Sequence, residues 1–213
     1  ENRRGSSSSS CHSSSSFWDS LMASLEGLDV SVLVNNVGIN HTESFATIDE
    51  RVLQDMIRVN CTSQMIFTRR LIPSLVERTK KKRENKDGAP PLRSAVISVS
   101  SVAGMRPLLF LSPYSATKAF NDFFSRALAL EFPDELDVLS LRPGYVVSNM
   151  SKLTEAGGFV LDRYECARGC LDKLGYVTET YGDPRHAVYA RSFFLLPEAV
   201  LALRRRQRLR EKN

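Results

Sequence analysis

Tyr114 and Lys118 stand four residues apart in "SPYSATKAFNDFF" (112–124), with small residues between them. Positions i and i+4 share one helix face, so a phenol and an ammonium would point the same way. A neighbouring cation favours the ionised form of an acid, so Lys118 is expected to lower the Tyr114 pKa from its ordinary value of about 10. Such a phenol could give or take a proton near neutral pH. The same spacing also suits a packed tyrosine beside a solvated lysine, so any chemistry depends on partners elsewhere in the chain. Three further features are candidates: "NNVG" (35–38) with Asn60 downstream, Ser101 thirteen residues before Tyr114, and "RPGYVVS" (142–148).

The elements that would position these residues can be read from periodicity. Residues 17–28 suggest a short amphipathic helix stopped near Gly27, and "DVSVLVNNVG" (29–38) a β-branched strand of a buried parallel sheet. Residues 47–82 carry helical spacing, with Thr47 and Glu50 resembling a capping box and Pro73 expected to bend or divide the helix. A polar loop (83–93) leads to a strand at 94–101, a helix at 113–131 and a third strand at 135–144 that ends at Pro143-Gly144. Helices are expected at 162–174 and 184–210. Strands alternating with helices predict an α/β fold with a parallel sheet. In such sheets ligands bind beyond the carboxyl ends of the strands, where three of the four features fall.

Composition narrows the function classes. With 42% hydrophobic and 25% charged residues, the 213-residue chain reads as an ordinary globular protein. The net charge of +5 is concentrated in "RTKKKRENK" (78–86) and "RRRQRLREKN" (204–213). Neither cluster has interleaved aromatics, so no nucleic-acid partner is expected; anionic lipid or an acidic ligand suits them better. The four cysteines are too scattered for a disulfide framework, and Cys166 with Cys170 make a poor zinc site without histidine, so no metal is expected. Reduced thiols in a cytosol-facing protein are the reading. No run of 18 apolar residues suggests an ordinary membrane span, and no apolar leader follows Glu1. Residues 1–16, rich in serine, are expected to be disordered, 17–203 to form the folded domain, and 204–213 a basic tail.

The strand-end NNVG, Asn60, Ser101, Y-x-x-x-K at 114–118 and the P-G turn resemble the short-chain dehydrogenase/reductase family over residues 17–200. "YSATKAFNDFF", the "MSK" after the turn and "DPRHAVYARSF" resemble its very-long-chain 3-oxoacyl-CoA reductase and 17β-hydroxysteroid dehydrogenase branch. The resemblance implies a Rossmann-like, doubly wound parallel sheet and a ketoreductase of fatty-acid elongation using NADPH. A hydroxysteroid dehydrogenase and a non-catalytic scaffold are the alternatives. It implies catalytic roles for Asn60, Ser101, Tyr114 and Lys118. Tyr114 would protonate the ketone oxygen, Ser101 would hydrogen-bond it, and Asn60 would hold a water relaying protons towards Lys118. Asn35 and Gly38, together with Asn60, Tyr114, Lys118, Pro143, Gly144, Val146 and Ser148, would border the cofactor. A long-chain acyl-CoA or steroid-like substrate, the cytosolic face of the endoplasmic reticulum membrane (or the cytoplasm), and a homo-oligomer complete the implied picture. His41 and His186 match none of these roles and are assigned to structure or surface.

One departure carries physical consequences. The glycine-rich turn T-G-x-x-x-G-x-G, which lets the backbone approach the pyrophosphate, does not occur in these 213 residues, nor does a residue selecting NADH or NADPH. The strand at 29–36 is therefore expected at an open, apolar sheet edge, with weak dinucleotide binding and a tendency to aggregate.

Overall fold

The computed structural model describes residues 13–84 and 92–195. Residues 1–12, 85–91 and 196–213 lie outside the described residues, and with them most of the Ser-rich start, most of the expected loop, the end of the expected C-terminal helix and the basic tail. Two compact units are distinguished, residues 1–30 and 31–213. In the first, helix α1 (Ser13–Ala23) is followed by a turn at Gly27, whose φ of +80° suits glycine.

In the second unit, a sheet of four parallel strands has the order β1-β2-β3-β6, from β1 (Val32–Asn35), β2 (Ser94–Val99), β3 (Leu136–Leu141) and β6 (Glu179–Thr180). Between β1 and β2 run α2 (Glu50–Ile57), a π-helical turn (Arg58–Thr62) and α3 (Ser63–Glu84). Helix α4 (Ser112–Glu131) joins β2 to β3. A two-residue parallel pair, β4 (Tyr145–Val146) and β5 (Val160–Leu161), precedes α5 (Arg163–Leu171), and α6 (Pro184–Leu195) follows β6.

Strand periodicity assigns the two faces. In β2 and β3, Ile97, Leu139 and Leu141 form a core cluster with Leu161 and the α5 thiols Cys166 and Cys170. The alternate residues face α3 and α4, with Ser98 and Ser140 set beside buried Val96 and Val138. Gln64 donates to Ser98 Oγ at 2.9 Å, and Ser140 Oγ donates to the Asp122 carboxylate at 2.7 Å. Helices thus cover both faces, as a doubly wound sheet requires. Burial pushes the Cys166 and Cys170 thiols up to about 11, so they behave as core residues.

Two local expectations need correction. The cap of α2 is Asp49, whose side chain accepts from Arg51 N–H at 2.7 Å, while Thr47 turns its hydroxyl to Ser44 O. Pro73 does not divide α3; it and Arg69 are exposed, so water can satisfy the Arg69 carbonyl left without its i+4 donor. The helical run is broken instead at Arg58–Thr62, fifteen to eleven residues earlier, by the wider π turn. The expected edge is present: among the described residues β1 pairs only with β2, and Val32 and Val34 are 41% and 52% exposed.

Candidate active site

Parallel pairing sets Asn35, Ser98 and Ser140 side by side, so β1, β2 and β3 release their chains at one end of the sheet. Beyond β2, Ser101 caps a short 3-10 turn (Val102–Gly104), and its Oγ accepts from Ala103 N–H at 3.1 Å. The hydroxyl hydrogen of Ser101 is thereby left to donate elsewhere. Gly104 allows this turn to lie against α4: a Cβ there would sit 2.6 Å from the Lys118 carbonyl carbon and 2.7 Å from Ala119 N. Ser100 Oγ, donating to Lys118 O at 2.7 Å, fixes the same approach.

Helix α4, with Pro113 in its first turn, buries Tyr114 and Lys118 on its inner face. Burial pushes the Tyr114 phenol above its ordinary value, and a hydrogen bond with Ser101 pulls it partly back. The expectation that Lys118 would lower the Tyr114 pKa is corrected here. The Lys118 Nζ lies 5.8 Å from the ring centroid and donates to Val99 O at 2.7 Å, so desolvation of the phenol dominates. Burial acts on Lys118 itself, bringing its ammonium from 10.5 to about 8. The thiol of buried Cys61, raised by burial, is pulled back by the Lys118 charge.

Asn60 sits in the π turn, 1% exposed, with both amide hydrogens and its carboxamide oxygen bonded. Its Oδ1 accepts from Ile39 N–H at 2.8 Å, and its Nδ2 donates to Ile39 O at 2.9 Å and to Thr117 Oγ1 at 3.0 Å. A π turn widens the helix locally and shifts this side chain off the α-helical register. The effect is to hold the loop after β1 against α4. A Cβ on Gly38 would fall 3.3 Å from both Asn60 Oδ1 and Lys118 Nζ. Glycine at this position therefore lets the loop after β1 pass close to the Asn60 carboxamide and the Lys118 ammonium.

The remaining candidates are placed less closely. Asn35 ends β1 and donates to Thr68 Oγ1 at 2.9 Å. Pro143 O accepts from Val102 N–H at 3.0 Å, joining the P-G turn to the Ser101 turn. Val146 lies in β4 and packs on the core cluster under α5. Ser148 is exposed and bonded to Ser151, on the loop that leaves β4. Arg142, ahead of the turn, is buried and paired with Asp122 at 2.6 Å and with Glu179.

Gly38, Asn60, Ser101, Tyr114 and Lys118 are thus brought together, with Pro143 joined through Val102. The cluster offers a neutral phenol, a hydroxyl donor and a cation whose pKa lies close to physiological pH, a set suited to protonating an oxygen that gains negative charge. Residues 10–157 match the short chain dehydrogenase family. The chain belongs to that family. Relatives include the very-long-chain 3-oxoacyl-CoA reductase of Anas platyrhynchos, 33% identical over 189 residues, covering 86% of this chain and 56% of that protein. The Homo sapiens protein of the same name is 33% identical over 195 residues, covering 88% and 57%. The chain therefore spans about half the length of the curated relatives it matches. The short-chain dehydrogenase fold is also seen in a solved 7β-hydroxysteroid dehydrogenase (TM-score 0.68, 20% identity, 83% of this chain and 66% of that one). A 3-ketoacyl-(acyl-carrier-protein) reductase from Brucella melitensis, solved with NADH, has a TM-score of 0.63, 22% identity and coverage of 74% and 65%.

Several participants escaped the sequence reading. Thr117 bridges Asn60 and Tyr114 O, Val99 O receives the ammonium, and Gly104 permits the close approach. Gly104, three residues after Ser101, is the one that a turn signal could have flagged. His186 is buried, not at the surface, whereas His41 is half exposed and paired with Glu43 at 2.6 Å.

Proposed function

We propose that this chain is an NADPH-dependent ketoreductase acting on long-chain 3-oxoacyl thioesters of coenzyme A. The observation that carries the reading is the convergence of Lys118 Nζ, Asn60 Oδ1 and the Gly38 backbone beside the Ser101–Tyr114 pair. The fit of a nicotinamide nucleotide rests on the ammonium: Lys118 has three donors, of which one goes to Val99 O, leaving two for sugar hydroxyls. When bound, the dihydronicotinamide supplies the hydride that the ketone carbon accepts. Tyr114 transfers its phenolic proton to the ketone oxygen, and the Ser101 hydroxyl donates to the same oxygen as its charge grows. The C=O bond becomes CH–OH, and Tyr114 is left as phenolate.

Lys118, at about 8, is well matched to return a proton to that phenolate at neutral pH. Both amide hydrogens of Asn60 are committed to Ile39 O and Thr117. A water on the route to Lys118 must therefore be held by another group of that residue. Pro143, Gly144, Val146 and Ser148 border the nicotinamide in this reading, and Asn35 the adenosine side. No residue of the chain is assigned to the pyrophosphate.

The substrate class is favoured by the names of the relatives and by the basic segments. For location, the cytosolic face of the endoplasmic reticulum membrane is our reading, with the apolar and basic residues of 187–213 as the candidate anchor. Among the described residues no helix is long and apolar enough to cross a membrane. Loss of membrane fractionation on deleting 187–213 would support this reading, and equal fractionation of both forms would show that this segment is not the anchor. For the activity, Tyr114→Phe should abolish 3-oxoacyl-CoA-dependent NADPH oxidation; turnover at the wild-type rate would exclude this site.

A further inference from the structure

The P-G turn is held by a side chain that no catalytic role claims. His186, in the first turn of α6, has no exposed surface. Its Nδ1 accepts from Gly144 N–H at 3.1 Å, and its Nε2 lies 3.1 Å from Tyr145 O. A backbone N–H can only donate and a carbonyl can only accept, so the partners specify the tautomer: Nδ1 bare, Nε2 protonated. The imidazolium would set an Nδ1–H against the Gly144 N–H, and the other neutral tautomer would fail at both bonds. Burial favours the neutral ring, pushing the His186 pKa below its ordinary value, while the Asp183 charge and the carbonyl groups around it act the other way.

The ring also lies close against the turn. A Cβ at Gly144 would meet His186 Cδ2 at 2.9 Å and Nε2 at 3.2 Å. The end of α6 from which His186 projects is itself tied down. Arg185 bonds Asp183 and, at 2.7 Å, Glu165 on α5, and Arg185 N–H donates to Asp183 Oδ1 at 2.8 Å. Lys173 Nζ donates to Gly182 O just ahead of it. On the other flank, Arg142 is fastened to Asp122 of α4 and Glu179 of β6. The turn thus has a charged anchor before it and an imidazole strut across its next two peptide groups.

The geometry points to His186 as a positioning residue: in its Nε2–H form it fixes the Gly144–Tyr145 backbone, and so the surface against which a nicotinamide ring would lie. The link to the nicotinamide rests on the ketoreductase reading; the strut does not. Two measurements on the full chain separate them. In the first, nitrogen NMR of the histidine rings at neutral pH should show His186 with a bare Nδ1 and a protonated Nε2. The opposite tautomer or an imidazolium overturns the proposal without reference to any activity.

In the second, His186→Phe keeps the bulk but loses both hydrogen bonds, while His186→Gln supplies an amide acceptor and donor. Loss of one hydrogen bond is worth about 1 kcal/mol, so Gly144 amide exchange should quicken by about five- to tenfold in the Phe variant. The Gln variant should recover most of the protection, and it keeps the test usable where the Phe variant fails to fold. NADPH affinity measured by calorimetry should fall with the Phe variant and recover with Gln. Unchanged Gly144 exchange in the Phe variant overturns the strut. Quickened exchange with unaltered NADPH affinity overturns the positioning role. Absence of NADPH binding by the wild type removes the ketoreductase reading and with it the nicotinamide link, while the ring tautomer and the amide exchange still decide the strut.

Discussion

Lys118 is a buried cation, and replacing it should stabilise the protein while destroying its proposed function. Its ordinary value of 10.5 falls to about 8 in the folded chain, with burial as the main cause. At about 1.36 kcal/mol per pH unit, that gap represents about 3 kcal/mol by which folding disfavours the ammonium relative to the amine. Lys118→Met removes the charge and keeps most of the stem's volume. It also loses the hydrogen bond to Val99 O, which costs about 1 kcal/mol. The net gain at pH 7 is therefore about 2 kcal/mol, equivalent to a melting temperature higher by about 4–8 °C for a chain of this size.

The pH dependence has a definite sign. Between about 8 and 10.5 the unfolded chain holds the Lys118 proton and the folded chain does not, so wild-type stability rises with pH across that window. The burial penalty is complete below about 8 and absent above about 10.5. The advantage of Lys118→Met should accordingly shrink from pH 8 upwards and vanish by pH 10.5. Chemical denaturation of both proteins at pH 7, 9 and about 10.5 reads this directly, since titrations common to both cancel in the difference. A Met variant less stable than wild type at pH 7, or a difference that does not change with pH, would refute the reasoning.

Other outcomes follow from single contacts. Asn60→Ala strips the partners from Ile39 N–H, Ile39 O and Thr117 Oγ1; at about 1 kcal/mol or more for each group, a loss of about 2–4 kcal/mol is expected in urea denaturation, with faster Ile39 amide exchange. Gly104→Ala forces a methyl against the α4 main chain, which cannot rotate away, and should cost about 1–3 kcal/mol or more in the same assay. Asp122→Ala leaves the buried Arg142 with Glu179 alone and should cost about 3 kcal/mol at pH 7. Burial raises the Asp122 carboxyl, but Arg142 and Ser140 outweigh it, so its pKa is lowered overall. The carboxylate's stabilisation is therefore present above the unfolded value of about 3.9 and disappears as pH falls through the lower folded value, so the Ala variant should show a weaker acid dependence.

How much of this was legible beforehand depended on range. The run "SAVISVSS" and the helix around Tyr114 declare themselves through local pattern, and Ser101, Tyr114 and Lys118 fall where their spacing implied. The strands β4, β5 and β6 are two residues each and too short for any periodicity to show. The π turn at Asn60 has no sequence signature, because the reason for it lies across the fold at Ile39 and Thr117. The influence of Lys118 on Tyr114 was misjudged because helical spacing carries no information on burial, and burial dominates both groups. His186 was invisible as a turn-holding residue because its partners lie 41 and 42 residues away.

The central claim, that Ser101, Tyr114 and Lys118 form a proton-donating site for ketone reduction, is tested most directly by Tyr114→Phe. NADPH oxidation by the full chain should be followed by nicotinamide absorbance with a long-chain 3-oxoacyl-CoA, alongside calorimetric NADPH binding. The account predicts nucleotide binding close to wild type and turnover reduced by about a hundredfold or more, the share commonly supplied by a positioned general acid. Turnover equal to wild type with binding intact would contradict it.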